Sequence, residues 1–97
     1  MKVVAYVPDL MDRSKVAAAG DVTFVADAAA LADAEADVVV VDLNRPGVLD
    51  VLPRVEAKTI GFGSHVQRDR LDAARAAGCD VVLKRSEFFA RLPALLA

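Results

Sequence analysis

The chain contains little of what builds a disulfide framework, a metal cluster or a membrane anchor. Cys79 is its only cysteine and His65 its only histidine. A single cysteine excludes an internal disulfide and is typical of a reducing cytosol, and the two residues together are too few for a zinc site. Apolar runs such as Val38 to Val41 are far too short to cross a membrane, and no signal segment opens the chain. We therefore expect a cytoplasmic protein.

An excess of charge of either sign is also missing. Twelve Lys and Arg residues stand against fourteen Asp and Glu residues, for a formal net charge of −2. This balance gives no general attraction to nucleic acid or to a membrane, so neither is expected as a partner. Hydrophobic residues make up 56% of the 97 residues, which excludes a disordered chain and predicts one domain over residues 1–97.

Five apolar, β-branched stretches alternate with five segments of helical pattern. The predicted strands cover residues 2–7, 22–25, 36–42, 58–62 and 79–83. The third contains four consecutive valines, Val38 to Val41, and a continuous apolar run indicates burial on both faces of a parallel sheet. Strict alternation of strand and helix predicts an α/β fold with a doubly wound parallel sheet and right-handed crossovers.

Capping residues and turn residues predict where the helices begin and end. Ser64 and Gln67 have the spacing of a capping box, and Gly78 is expected to end the helix that follows them. Pro93 is expected to kink or shorten the last helix. Only a turn or two of helix fits between the Pro46-Gly47 turn and the fourth strand. The predicted N-caps are Asp12, Asp27, Ser64 and Ser86.

The segment VVVVDLNRPG, residues 38–47, resembles the phosphoacceptor strand of response-regulator receiver domains. In that family an Asp ends the third strand, and a Pro-Gly pair follows four and five residues later. Asp42, Pro46 and Gly47 occupy these positions. The segment AARAAGCDVVLKRSEFF, residues 73–89, resembles the receiver pattern of helix, Gly, Asp, apolar strand, basic residue and aromatic. The order of elements agrees along the whole chain, which implies the flavodoxin-like strand order 2-1-3-4-5.

The other positions that carry receiver chemistry are changed. The family's acidic pair for Mg²⁺ would end the first strand, but the carboxylates here are displaced into the following loop, as Asp9 and Asp12. The family's Thr or Ser at the end of the fourth strand is replaced here by Gly63, and its Lys at the end of the fifth strand is replaced by Arg85. Ser64 and Lys84 each lie one residue out of register. The resemblance therefore implies a pseudo-receiver that keeps the fold without phosphotransfer, and no cofactor is expected.

Asp42 is the candidate phosphoacceptor-like residue. A carboxylate that ends a buried parallel strand lies at the carboxyl edge of the sheet, where open α/β folds place their sites. Accepting a phosphoryl group would also need a divalent cation, and Asp9 and Asp42 are the only candidate ligands, so no metal site is predicted. In the alternative interpretation, Asp42 caps the following turn or pairs with Arg85.

Positive groups are expected at the same edge, because arginines follow the ends of three strands and helices point their positive ends there. This pattern indicates a site for an anion such as phosphate or a nucleotide. Arginines that only balance nearby aspartates would give the same pattern. The candidate residues of this site are Asp9, Asp12, Arg13, Ser14, Arg45, Ser64, His65, Arg85 and Ser86.

The last helix carries more apolar residues than one helix face normally buries in a small domain. Receivers use the face built from their fourth helix, fifth strand and fifth helix for dimerisation or output, and the resemblance implies such a face here. Phe88, Phe89 and Leu92 are therefore the candidate interface for a protein partner or a second copy. In the alternative interpretation, the aromatic pair closes the core.

Three functions follow from these features. The first is a stand-alone, non-catalytic receiver-like domain that acts in signalling or regulation through protein–protein contacts. The second is a sensor that binds a small anion at the carboxyl edge of the sheet. The third is an active single-domain receiver phosphorylated on Asp42. An enzyme is not predicted, since the sequence has neither a nucleophile–base pair nor a cofactor motif.

Overall fold

In the computed structural model, which describes all 97 residues, five parallel strands form one sheet with helices on both faces. The strands are β1 (Val3–Tyr6), β2 (Val22–Phe24), β3 (Val38–Asp42), β4 (Lys58–Gly63) and β5 (Val81–Lys84). The α-helices are α1 (Leu10–Ala19), α2 (Val48–Val51), α3 (Arg68–Ala76) and α4 (Arg85–Leu95), and 3₁₀ helices cover Ala28–Asp33 and Leu52–Arg54. The strand order is 2-1-3-4-5, which confirms the predicted fold class.

Strand β3 lies at the centre of the sheet, between β1 and β4, as its run of valines predicts. Val40 pairs in parallel register with Ala5 of β1 and Ile60 of β4. All five residues of β3 are buried, including Asp42 at its end. The continuous apolar run is therefore explained by helices that cover both faces of the sheet.

The two faces of the sheet carry two separate hydrophobic cores. The first core places Val38 and Val40 against α1 and α4, with Phe88 fully buried between helix and sheet. The second core places Val39 and Val41 against α2, α3 and the first 3₁₀ helix. None of the helices is both long enough and apolar enough to cross a membrane.

The first two helix starts differ from the prediction. Asp9 caps α1, because its Oδ1 accepts hydrogen bonds from the backbone N–H groups of Met11 and Asp12, each at 3.0 Å. The prediction that Asp12 is the cap is wrong: this residue lies inside the first turn. Asp27 does cap a helix, through the N–H of Ala30 at 3.0 Å, but the helix is of the 3₁₀ type.

The predicted serine caps of the last two helices are also wrong. Helix α3 begins only at Arg68, and the Ser64 hydroxyl accepts from Val66 N–H at 3.3 Å in the preceding turn, so no capping box forms. Strand β5 continues directly into α4, which places Ser86 inside the first turn of that helix rather than before it. Helix α4 continues through Pro93 to Leu95.

Two turn predictions are confirmed. Gly78, after α3, has a φ of +100°, a left-handed conformation that glycine adopts without a steric penalty. Gly47 has a φ of +82° and begins α2, a single turn of helix extended by a short 3₁₀ helix. The connection from β3 to β4 is therefore as short as the sequence predicts.

Candidate functional site

Asp42 ends the central strand β3 at the carboxyl edge of the sheet, and both of its carboxylate oxygens have partners. Oδ1 accepts from the backbone N–H of Asn44 at 3.0 Å, and Oδ2 accepts from Nε of Arg45 at 3.2 Å. The residue is only 5% exposed. Asp42 thus caps the turn that follows its strand, and its cationic partner is Arg45 rather than Arg85.

Asp12 and Arg85 form a second ion pair at this edge. Asp12 is 1% exposed in the first turn of α1. Nη1 of Arg85, at the start of α4, donates to its Oδ2 at 2.6 Å, and Nη2 donates to its Oδ1. The planar guanidinium matches a carboxylate in this two-point geometry. The hydrogen bonds to Asp12 raise the pKa of Arg85, burial opposes this shift, and the negative charges of Asp12, Asp42 and Asp9 add to it.

Asp9 lies beside this pair but is exposed to solvent. Its pKa is lowered because the Asp12 and Met11 amides donate to its carboxylate, with further contributions from the positive charges of Arg85 and Arg45 and partial opposition from burial. The charges of Asp9, Asp12 and Asp42 thus all act on Arg85, and the charges of Arg85 and Arg45 act on Asp9.

The Arg85 guanidinium lies over two aromatic rings. Its central carbon lies 5.2 Å from the ring centre of Phe89 and 6.0 Å from that of Phe62. Phe62 stacks on Phe88 with ring centres 4.5 Å apart, and Phe89 meets both rings edge-on. The side chain of Arg85 thus joins the acidic edge to the first hydrophobic core.

A side chain at the receiver hydroxyl position would be tightly packed. A Cβ on Gly63 would lie 3.0 Å from Cδ2 of Leu71 and 3.2 Å from Oδ1 of Asn44, distances that force a neighbour to move. The Ser64 hydroxyl is held in its own turn. No hydroxyl group is therefore aimed at Asp42 from β4.

The carboxylates do not fit Mg²⁺, the cation that the receiver resemblance implies. Mg²⁺ requires oxygen ligands in near-octahedral geometry. Both oxygens of Asp12 are bound to Arg85, both oxygens of Asp42 are occupied, and Oδ1 of Asp9 caps α1. No group of three His, Cys, Asp or Glu side chains is arranged to hold a metal ion.

The remaining candidate residues make no side-chain hydrogen bond to Asp12, Asp42 or Arg85. Arg13 lies over the ring of Phe24 in β2, 4.6 Å from its centre. Ser14 and Ser86 are exposed on α1 and α4, and no hydrogen bond joins them to Asp42 or Arg85. His65 lines a separate cleft. The anion site predicted from nine residues is thus reduced to two guanidinium groups, each already paired with a carboxylate.

The separate cleft, of about 430 Å³, lies between α3, β5 and α4. Its lining residues are His65, Arg68, Leu71, Asp72, Arg75, Val82, Lys84 and Glu87. The residues predicted for an interface on α4 lie elsewhere: Phe88 and Leu92 are buried in the first core, and Phe89 is half-buried against it. This packing is the alternative in which the aromatic pair closes the core.

Arg70 is a structural part of the site that the sequence does not reveal. From α3, its Nε donates to the carbonyl oxygen of Leu43 at 2.7 Å, and its Nη2 donates to that of Arg45 at 2.9 Å. These two bonds fasten the loop after β3 and position Arg45 beside Asp42. No local pattern distinguishes Arg70 from the other arginines of α3.

No protein-family model matches the sequence, and no curated protein is similar to it in sequence. Solved structures are similar in fold. A response regulator from Hahella chejuensis superposes with a TM-score of 0.81 at 18% identity, covering 97% of this chain and 90% of the other. The phosphorylated cyanobacterial phytochrome response regulator RcpA gives 0.79 at 14% identity, covering 97% and 89%. A receiver domain from Rhodospirillum rubrum gives 0.71 at 14% identity, covering 98% and 90%.

These likenesses in fold extend over nearly the whole chain. The protein therefore has the fold of response-regulator receiver domains, as the resemblance around Asp42 implies.

Proposed function

We propose that this protein is a cytoplasmic receiver-like domain that works in signalling or regulation by contacting another protein, without phosphotransfer or enzymatic turnover. The receiver fold supports the signalling role. The observation that carries the non-catalytic part is the state of Asp42, whose two oxygens are both held by partners within the chain while the residue is almost fully buried.

A nucleophilic carboxylate needs a free oxygen, an approach path for the phosphoryl donor and a cation that neutralises the developing charge. At Asp42 the nearest cation is the Arg45 guanidinium, and β4 supplies no hydroxyl group. Each missing interaction reduces a rate by about 10²-fold or more, so their combined loss removes the reaction on any useful timescale.

The contact surface in this proposal is the face of α3, β5 and α4, where the cleft lies. Its rim carries both signs of charge, from Arg68, Asp72 and Arg75 of α3, Lys84 of β5 and Glu87 of α4. A mixed-charge rim around Leu71 and Val82 suits a protein partner better than nucleic acid, since it lacks a field of one sign.

Incubation with acetyl phosphate and Mg²⁺, followed by intact-mass measurement, tests the non-catalytic part. We expect no added mass of a phosphoryl group in the wild-type protein. A phosphoryl adduct that is absent from Asp42→Asn would overturn the proposal and establish an active receiver.

The contact part is tested by the molar mass in solution, measured by light scattering at high micromolar concentration, for the wild type and for Lys84→Glu on the cleft rim. A wild-type dimer that Lys84→Glu dissociates identifies a second copy as the partner. A dimer unaffected by this substitution contradicts the proposed face. A dimer that forms only after acetyl phosphate treatment contradicts the non-catalytic part.

A further inference from the structure

The cleft between α3, β5 and α4 is lined by two cations that have no ion-pair partner. Arg68 of α3 and Lys84 of β5 both line it, and neither has a carboxylate within salt-bridge distance. The third cation, Arg75, is already paired, because its Nη1 lies 2.9 Å from Oδ1 of Asp72. The charge available to a ligand is therefore that of Arg68 and Lys84, opposed only by the carboxylate of Glu87.

The topology places the two unpaired cations at the same end of the cleft. Lys84 is the last residue of β5 and pairs in register with Gly63, the last residue of β4. Arg68 begins α3 after the short loop that follows Gly63, and His65 of that loop lines the same cleft. The paired charges of α3 lie one and two turns further along that helix.

An apolar floor extends the cleft beyond these cations. Leu71 lies one turn along α3 from Arg68, and Val82 lies on the same face of β5 as Lys84. The volume of about 430 Å³ is in the range of sites for small organic ligands and exceeds what one inorganic anion fills. A ligand that matches the cleft therefore combines an anionic group with an apolar body.

We propose that this cleft binds an organic phosphomonoester, with its phosphoryl group between Arg68 and Lys84 and its body against Leu71 and Val82. Near neutral pH a phosphomonoester carries almost two negative charges, which two cations balance, and it offers three acceptor oxygens. The Arg68 guanidinium can donate to two of these oxygens, and the Lys84 ammonium adds a point charge. A carboxylate would balance only one of the two cations.

Binding at this cleft goes beyond the proposed function and does not depend on it, because a small ligand can enter whether or not a protein contacts this face. The binding is reversible and involves no covalent step. Asp42 is not among the residues that line the cleft.

Phenyl phosphate is the probe, because it joins a phosphoryl group to a compact apolar ring. It is titrated into isotopically labelled protein in phosphate-free buffer of low ionic strength, and the amide signals are followed by NMR. We expect saturable shifts at Arg68, Leu71, Val82 and Lys84, with a Kd of about 10 mM or below. The amide of Asn44, beside Asp42, should shift less than these four.

Two further ligands separate the anionic group from the body. Inorganic phosphate lacks the body, and benzoate carries a carboxylate in place of the phosphoryl group. Each should bind about fivefold or more weakly than phenyl phosphate. Inorganic phosphate that binds as tightly as phenyl phosphate would contradict an organic ligand, and benzoate that binds as tightly would contradict recognition of a phosphoryl group.

Substitutions of exposed side chains test the assigned contacts without disturbing the core. Arg68→Gln and Lys84→Gln should each raise the Kd for phenyl phosphate about tenfold, because each removes one charged donor. Glu87→Gln should lower the Kd about twofold or more, since it removes the carboxylate that opposes the ligand. Arg91→Gln, on α4 but outside the cleft, is the control for net charge and should leave the Kd within about twofold of the wild type.

Three results would each overturn the inference: no saturable shift, largest shifts in the loop after β3, or Kd values that Arg68→Gln and Lys84→Gln change no more than Arg91→Gln does. These failures are distinct from those of the proposed function. That function fails on a phosphoryl adduct of Asp42 or on a dimer that Lys84→Glu leaves intact, neither of which requires a ligand in the cleft.

Discussion

Gly61 of β4 is required by the side chain that lies over it rather than by its backbone conformation. A Cβ on Gly61 would lie 2.7 to 2.9 Å from three side-chain atoms of Leu43, which is fully buried over this strand. In the sequence Gly61 only weakens a predicted strand, because the contact with Leu43 comes from the loop after the neighbouring strand. The absence of a side chain at Gly61 therefore leaves the space that the Leu43 side chain of the second core fills.

Replacing Gly61 with Ala should destabilise the protein by about 1–3 kcal/mol, since the new methyl group overpacks the core against Leu43. Urea unfolding at equilibrium measures this loss. Gly20→Ala is the control, because its Cβ would have no neighbour closer than 3.8 Å. The cost of Gly61→Ala should be smaller when Leu43 is also Ala; an equal cost in both backgrounds contradicts the assigned contact.

The charge of Asp9 predicts a pH dependence. Its pKa in the folded protein is lowered from 3.8, so folding favours the ionised form. Its contribution to stability is complete above the unfolded-state pKa and is lost as the pH falls through the lower folded-state pKa. The Tm difference between the wild type and Asp9→Ala should be constant near neutral pH and shrink below about pH 4.

Asp21→Ala removes an exposed aspartate that caps no helix and is the control for this titration. A Tm difference for Asp9→Ala that grows as the pH falls would have the wrong sign and would contradict the capping role.

At the scale of elements, the helices that cover the two faces of the sheet differ in length, and this difference determines what stabilises the loop after β3. The first core is covered by α1 and α4, two full helices, whereas the second is covered partly by 3₁₀ turns and the single turn of α2. Short helices stabilise themselves poorly, so the loop between β3 and α2 depends on bonds from outside. Arg70 of α3 provides two of them.

Arg70→Ala should cost about 1–3 kcal/mol, because two carbonyl groups lose a charged donor. Hydrogen exchange should become faster at Asn44 and Arg45, whose loop is released. Arg68→Ala, an exposed position at the start of the same helix, should change neither the stability nor the exchange of that loop. Equal effects of the two substitutions would show that Arg70 does not hold the loop.

The sheet was predictable from the sequence because its information is local. Four consecutive valines identify the central strand, and strict alternation of strands and helices predicts a parallel sheet. The strand order 2-1-3-4-5 is what the receiver resemblance implies. The helix starts were less predictable, since Asp9 and Asp12 are both good caps and only the backbone conformation at Asp9 decides between them. The site was least predictable: Asp12 and Arg85 are 73 residues apart, and no periodicity links them.

At the scale of the whole molecule, β3 belongs to both cores at once. Val38 and Val40 face one core, and Val39 and Val41 face the other. Loss of one core therefore removes the strand on which the second is built. The protein should unfold in one cooperative transition rather than face by face.

Val40→Asp tests this coupling. The residue is 0% exposed, so the new charge would have neither solvent nor a partner, and we expect the variant to be unfolded. Circular dichroism and the fluorescence of Tyr6, which packs against the opposite core, should be lost together. Thr23→Asp, on an exposed position of β2, should remain folded. A Val40→Asp protein that keeps the Tyr6 signal contradicts a single transition.

The pairing of α1 with α4 also has a consequence for biosynthesis. The helix that closes the first core is the last element of the fold to leave the ribosome, while the helix it packs against is the first. Until residues 85–95 have been made, Val16 and Phe62 have no cover and Asp12 has no guanidinium. Until α4 has been made, a nascent chain therefore exposes part of the first core, and chaperones have that interval in which to bind it.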